Sequence, residues 1–274
     1  MKPLLRPLVF LIVLWVLDIV LRKGFILFFL PFTLPGNLNH LLFFTLFAWV
    51  SWYLSKRMAA QAGNTMTTLG VSFNRKNNME FYSGLLIGIL LWGMVALIQG
   101  EIAGFSWVLR PESGAFNLLY GLLFIFIADL GTELFTRPYP LTQLESNYGI
   151  WFAMVFMVAF VALKSISFEV SGQLLFFSIL IPALHTVFFS FIYFKTKRIG
   201  GALGLHTGAN FVTISVFDLR ETQTNQPIPS GLFQSDSALD GLSMVALQMP
   251  YVLMAVLLSV ATYWWWRKET SKTE

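Results

Sequence analysis

Ala128-Asp129-Leu130-Gly131-Thr132-Glu133-Leu134-Phe135-Thr136-Arg137-Pro138-Tyr139 brings three charges onto the end of an apolar run, 116–127. A charged side chain at the centre of a bilayer costs at least ~2.5 kcal/mol, so such residues are rare, paired and often functional. Asp129, Glu133 and Arg137 are spaced four apart. That spacing sets them on one face of a helix, where Glu133 and Arg137 can pair. The plain alternative is a self-neutralised helix end, with Arg137 snorkelling to the interface.

Composition supports the lipid reading of this stretch. The 274 residues are 56% apolar and 12% charged, with a mean hydropathy of +0.69. Such a chain is a polytopic membrane protein and not a soluble globule. The 28 Phe and 9 Trp suit lipid-facing surfaces and interfacial belts. The formal charge of +4 is explained by basic loops between apolar segments, not by nucleic-acid binding. The absence of cysteine excludes disulfides and thiolate metal sites. Lys2 and Arg6 precede an apolar run with no small-residue cleavage site after it, so the N-terminus reads as a first span.

Eight spans are expected, at 8–21, 40–54, 81–99, 116–133, 150–163, 174–194, 199–217 and 245–266. Several are shorter than the ~20 residues of a perpendicular helix, so their ends extend into flanking residues. The segment 24–35 is short and apolar with two prolines, and reads as an interfacial or re-entrant piece. An even number of spans puts both termini on one side. That side collects thirteen Lys and Arg and the other five, which places both termini in the cytoplasm of a cell membrane. Trp264-Trp265-Trp266 before Arg267-Lys268 makes an interface anchor, and the polar stretch 218–243 an external loop. One membrane domain is expected, comprising two N-terminal spans with the interfacial segment (1–68), a core (69–217), and the external loop with the last span (218–274).

The seventh span carries Gly200-Gly201-Ala202-Leu203-Gly204-Leu205-His206-Thr207-Gly208-Ala209-Asn210. Gly200, Gly204 and Gly208 form a small-residue stripe that admits a neighbouring helix closely. His206 and Asn210 lie two residues from that stripe, near the opposite face at ~100° per residue. One face packs, and the other presents an imidazole and an amide together. The plain alternative is that both side chains only hydrogen-bond across helices.

These two stretches resemble the motifs of the CAAX-protease and bacteriocin-processing family of intramembrane proteases, which includes the lysostaphin-resistance-like members. The family shows Glu-Glu-x-x-x-Arg on one helix, Phe-x-x-x-His on the next and His-x-x-x-Asn/Asp on a later one. Glu133, Arg137, Tyr139, Leu141, Leu144 and Gly149 fall where the first motif and its tail expect them. Leu203-Gly204-Leu205-His206-x-x-x-Asn210 resembles the third motif, and 69–88 the entry to the third span; the likeness covers about 69–216. It departs in three places. Thr132 stands where the family has the glutamate that activates water. Phe160-Val161-Ala162-Leu163-Lys164 puts Lys164 where the second-motif histidine is due. Pro138 stands where a glycine usually follows the arginine.

The resemblance implies an all-α membrane bundle with a cavity open to the cytoplasmic side, acting on membrane-associated peptides or proteins, and zinc as a cofactor with His206 its one candidate ligand. Chemistry limits what these residues can do. Thr132 is a poor base, and Lys164 is ordinarily cationic, suited to an oxyanion and not to a metal. His206 can serve as base, oriented by Asn210 or a carboxylate, with Asp129 the nearest substitute acid. Two readings stay open: a rewired endopeptidase using His206, Asp129 and Lys164, or an inactive pseudoprotease binding a partner in the old cleft. In the second, Lys164 pairs with Glu133 or Asp129. A small-solute transporter is a third class, disfavoured because no inverted repeat appears. His185, near Pro182, reads as an interhelical hydrogen bond at a kink, Asp18 as an i,i+4 partner of Arg22, and His40 as a boundary residue.

Overall fold

The computed structural model describes residues 3–28, 36–167, 170–218, 231–237 and 243–270. The chain is an all-α bundle. Its helices are α1 (Leu5–Phe28), α2 (Gly36–Gln61), α3 (Arg75–Ala103), α4 (Ala115–Thr136), α5 (Pro138–Tyr148), α6 (Ile150–Lys164), α7 (Gly172–Thr196), α8 (Gly200–Phe211) and α9 (Met244–Thr270). Among the described residues four helical stretches are long and apolar enough to cross a membrane: α3, the run through α4 and α5, α7, and α9. The apolar α6 is shorter. Each expected span is helical over most of its described length. The expected piece at 24–35 continues α1 as far as Phe28, and 29–35 lie outside the described residues.

Glycines set the tightest seam. A Cβ on Gly204 would lie 2.0 Å from the Phe81 carbonyl oxygen, and one on Gly208 2.3 Å from that of Leu85. From the other side, a Cβ on Gly84 would lie 2.6 Å from the Gly201 oxygen. Side chains at these positions would hold α3 and α8 apart, so their absence lets the backbones meet. The seam is pinned at its start. Asn74 caps α3 by accepting from the Asn77 amide, and the Asn77 carboxamide oxygen accepts from the Gly200 amide at 2.8 Å. Glu80 takes the Arg198 guanidinium on both oxygens, which raises Arg198 above its ordinary pKa and fixes the α7–α8 turn.

The expected fourth span ends at residue 133; α4 runs on to Thr136. The structure starts another helix at once, because Pro138 at the first helical position needs no hydrogen-bond partner for its nitrogen. This helix, α5, buries Tyr139, Leu141 and Leu144 in the main core beside Leu134, Phe135 and Met157. Tyr193 of α7 ties it down, its hydroxyl lying 2.9 Å from that of Thr142 and donating to the Leu69 carbonyl at 3.0 Å.

At the opposite end two three-residue strands pair antiparallel, β1 (Trp107–Leu109) with β2 (Phe233–Ser235). Arg110 locks them: its Nη1 reaches Asp218 at 2.7 Å and its Nε donates to Gln234 at 2.7 Å. The polar stretch expected as an external loop therefore supplies an anchored strand where it is described.

Candidate active site

One face of α4 carries Asp129, Glu133 and Arg137 toward α7 and α8. The glycine seam turns the other face of α8 toward α4, and with it His206 and Asn210. The His206 Nδ1 lies 2.9 Å from Glu133 Oε1, and its Nε2 lies 3.5 Å from Asp129 Oδ1. Asn210 Nδ2 donates to the same Asp129 oxygen at 2.8 Å. The second oxygen of Glu133 meets Arg137 Nη1 at 2.5 Å, and Arg137 also donates to the Thr136 hydroxyl at 2.9 Å. Glu133 thus holds one basic group on each oxygen.

Burial makes these contacts matter. The Glu133 side chain is fully closed off and that of Asp129 nearly so, whereas the His206 side chain is 18% exposed. Charges out of water persist only when paired and hydrogen-bonded. The hydroxyl of neighbouring Thr207 is buried beside the Asp129 carboxylate.

Phe189 of α7 completes the cluster. Its ring sits 4.9 Å from the Arg137 guanidinium carbon and 4.9 Å from the His206 ring, with the planes of the two rings 35° apart. Sequence reasoning missed this residue, since nothing local distinguishes it from the other phenylalanines. His185 also packs on Phe189, edge-on, among the rings of Trp92 and Phe188. Its Nε2 is buried with no hydrogen-bond partner among the described residues, where the sequence suggested an interhelical bond.

The structure does not bring Thr132 and Lys164 into this arrangement. The Thr132 hydroxyl donates back to the Ala128 carbonyl of its own helix at 3.2 Å. Lys164 Nζ lies 3.5 Å from Asp18 Oδ2 of α1 and 5.1 Å from the centre of the Phe135 ring. Phe135 is two residues from Glu133, about 200° around the helix, so Lys164 is across α4 from the carboxylates. The partner expected for it was Glu133 or Asp129; its carboxylate is Asp18. The sequence pairs Asp18 instead with Arg22, whose side chain lies outside the described residues.

A metal fits these residues poorly. Both His206 nitrogens face carboxylates and Glu133 is shared with Arg137, so lone pairs do not converge on one point. Among the described residues no group of three or more His, Asp or Glu side chains is placed to hold a metal ion. A cavity of about 220 Å³ lies between α3, α4 and α8, with Phe81, Phe126, Leu130 and Leu203 in its walls. None of Asp129, Glu133, Arg137, His206 and Asn210 lines it.

The cluster thus sets an imidazole between two carboxylates, with an amide and a guanidinium beside them. Residues 113–212 match the model of the Rce1-like family, described as Type II CAAX prenyl endopeptidase Rce1-like, the family whose motifs the sequence resembles. The matched stretch holds all of α4 with Asp129, Glu133 and Arg137, and reaches past His206 and Asn210. No curated protein and no solved structure matches the chain.

Proposed function

We propose that this protein is an intramembrane endopeptidase that cleaves membrane-associated peptides or proteins, with Asp129 and His206 taking over the work of the missing glutamate. The observation that carries this reading is the His206 ring held between Glu133 and Asp129. If Nδ1–H donates to Glu133, Nε2 keeps its lone pair and faces the Asp129 carboxylate. A water donating to Nε2 there lies within reach of the Asp129 carboxylate. His206 then takes a proton as the water oxygen adds to the peptide carbonyl, and returns it to the leaving amine. Asn210 keeps Asp129 aimed, and Glu133 keeps the imidazole in the useful tautomer, as the orienting carboxylate does in hydrolytic triads. No step needs Lys164 or Thr132.

The rival is a catalytically inactive relative that binds a peptide or membrane-protein partner, in immunity or regulation. It is favoured by the threonine at the family's water-activating position and by the closure of Glu133 and Asp129. The other apolar helices would complete eight spans, with both termini in the cytoplasm of the cell membrane.

Mapping protein termini in membranes of cells with wild type, His206→Ala or no copy decides between them. New termini seen only with wild type are expected, and they would also name the substrates. Identical termini in all three, with the protein folded and expressed, would leave the binding role.

A further inference from the structure

We infer that Phe189 is a positioning residue: its ring holds the His206 imidazole in the one orientation that aims Nδ1 at Glu133 and Nε2 at Asp129. The inference deepens the reading of His206 as the base and rests on it for its functional meaning. The torsion that turns an imidazole about its bond to Cβ is broad and two-fold, so hydrogen bonds at one edge leave it free to librate. A half-turn would replace both nitrogens by ring carbons and lose both contacts. Phe189, 2% exposed and tilted 35° to the imidazole at 4.9 Å, packs against it and resists that turn.

The same ring acts on Arg137. A guanidinium matches a carboxylate best when it takes both oxygens in a fork. Here one oxygen of Glu133 goes to Arg137 and the other to His206, and the guanidinium carbon rests against Phe189. Holding Arg137 there leaves the second Glu133 oxygen for the imidazole. Without the ring, Arg137 can swing to claim both oxygens, and Nδ1 loses the acceptor that selects its tautomer. The sharing of Glu133 between two helices therefore depends on a residue of a third.

The test is ¹⁵N-histidine NMR on the detergent-solubilised full chain. There are three histidines, and His206→Gln identifies the signals of interest. Phe189→Met keeps most of the volume and removes the flat face. Phe188→Met removes an equally buried ring that packs on His185, on Trp92 and on Phe189 itself, with no ring contact to His206 among the described residues. The expected result is that Phe189→Met moves the His206 Nδ1 and Nε2 resonances toward the average of the two tautomers, while Phe188→Met leaves them in place. Unmoved His206 signals in folded Phe189→Met, or equal movement in both variants, would overturn the inference. Should Phe189→Met fail to fold, Phe189→Leu is measured the same way, and failure of both would make Phe189 a packing residue only. The spectra need no substrate, so a protein that cleaves nothing loses the proposed function while the placement of His206 is still decided. If it cleaves, kcat of Phe189→Met falls about 10²-fold with KM little changed.

Discussion

Glu133 meets a different basic group with each oxygen, and its removal and that of Asp129 have unlike consequences. Glu133→Gln leaves Arg137 buried without its counter-charge, so about 3–5 kcal/mol of stability should go, seen as a marked fall in the melting temperature in detergent. An unchanged melting temperature would mean that Arg137 finds another anion. Asp129→Asn should instead unfold like wild type, because an amide there can still meet Asn210, yet it should abolish cleavage. Thr132→Ala should keep cleavage, since that hydroxyl is turned to its own helix; its loss would return the family's first position to the chemistry. Much of this site was legible: the four-residue spacing of Asp129, Glu133 and Arg137, and of His206 and Asn210, puts each set on one helical face. Their meeting was not, because the 2.9 Å contact between His206 and Glu133 joins residues 73 apart in sequence. Lys164 misled because a register counted from Phe160 says nothing of which neighbour α6 turns it toward.

At the scale of elements, the seam between α3 and α8 should be sensitive at single atoms. Gly204→Ala drives a methyl into the Phe81 carbonyl and should destabilise by about 1–3 kcal/mol, whereas Gly93→Ala, with open space around it, should leave stability unchanged or slightly raised. Equal melting temperatures for the two would mean that the helices do not meet as described. Lys164→Met should lower stability by roughly 1–2 kcal/mol, less than a fully buried break because the lysine is part-exposed. Adding Asp18→Asn should recover part of that loss; additive losses would show the two residues uncoupled. The long helices were readable because apolar runs bounded by charge suffice. α5 was not, because Arg137-Pro138 ends one helix and begins the next, and a proline is compatible with both. The three-residue strands carry too few residues for alternation to show.

Taken whole, the chain distributes its charges unevenly, and the proposed orientation in the membrane rests on that. The lack of cysteine makes it convenient to test. Ser237→Cys, beside the small sheet, should react with an impermeant thiol reagent on intact cells, and Phe73→Cys, 96% exposed before α3, only after permeabilisation. The reverse pattern would invert the topology.

The glycine seam also bears on how such a molecule can move. Where two backbones interlock through missing side chains four residues apart, they behave like a screw in a threaded sleeve. The next matching register is a whole notch away, about 6 Å along the axis at ~1.5 Å per residue, and small slips meet carbonyls. Helices α3 and α8 are then one rigid beam, with His206 and Asn210 fixed to it. The breathing left to the site is the swing of that beam against α4, which widens or narrows the distance from imidazole to carboxylates in a single stroke.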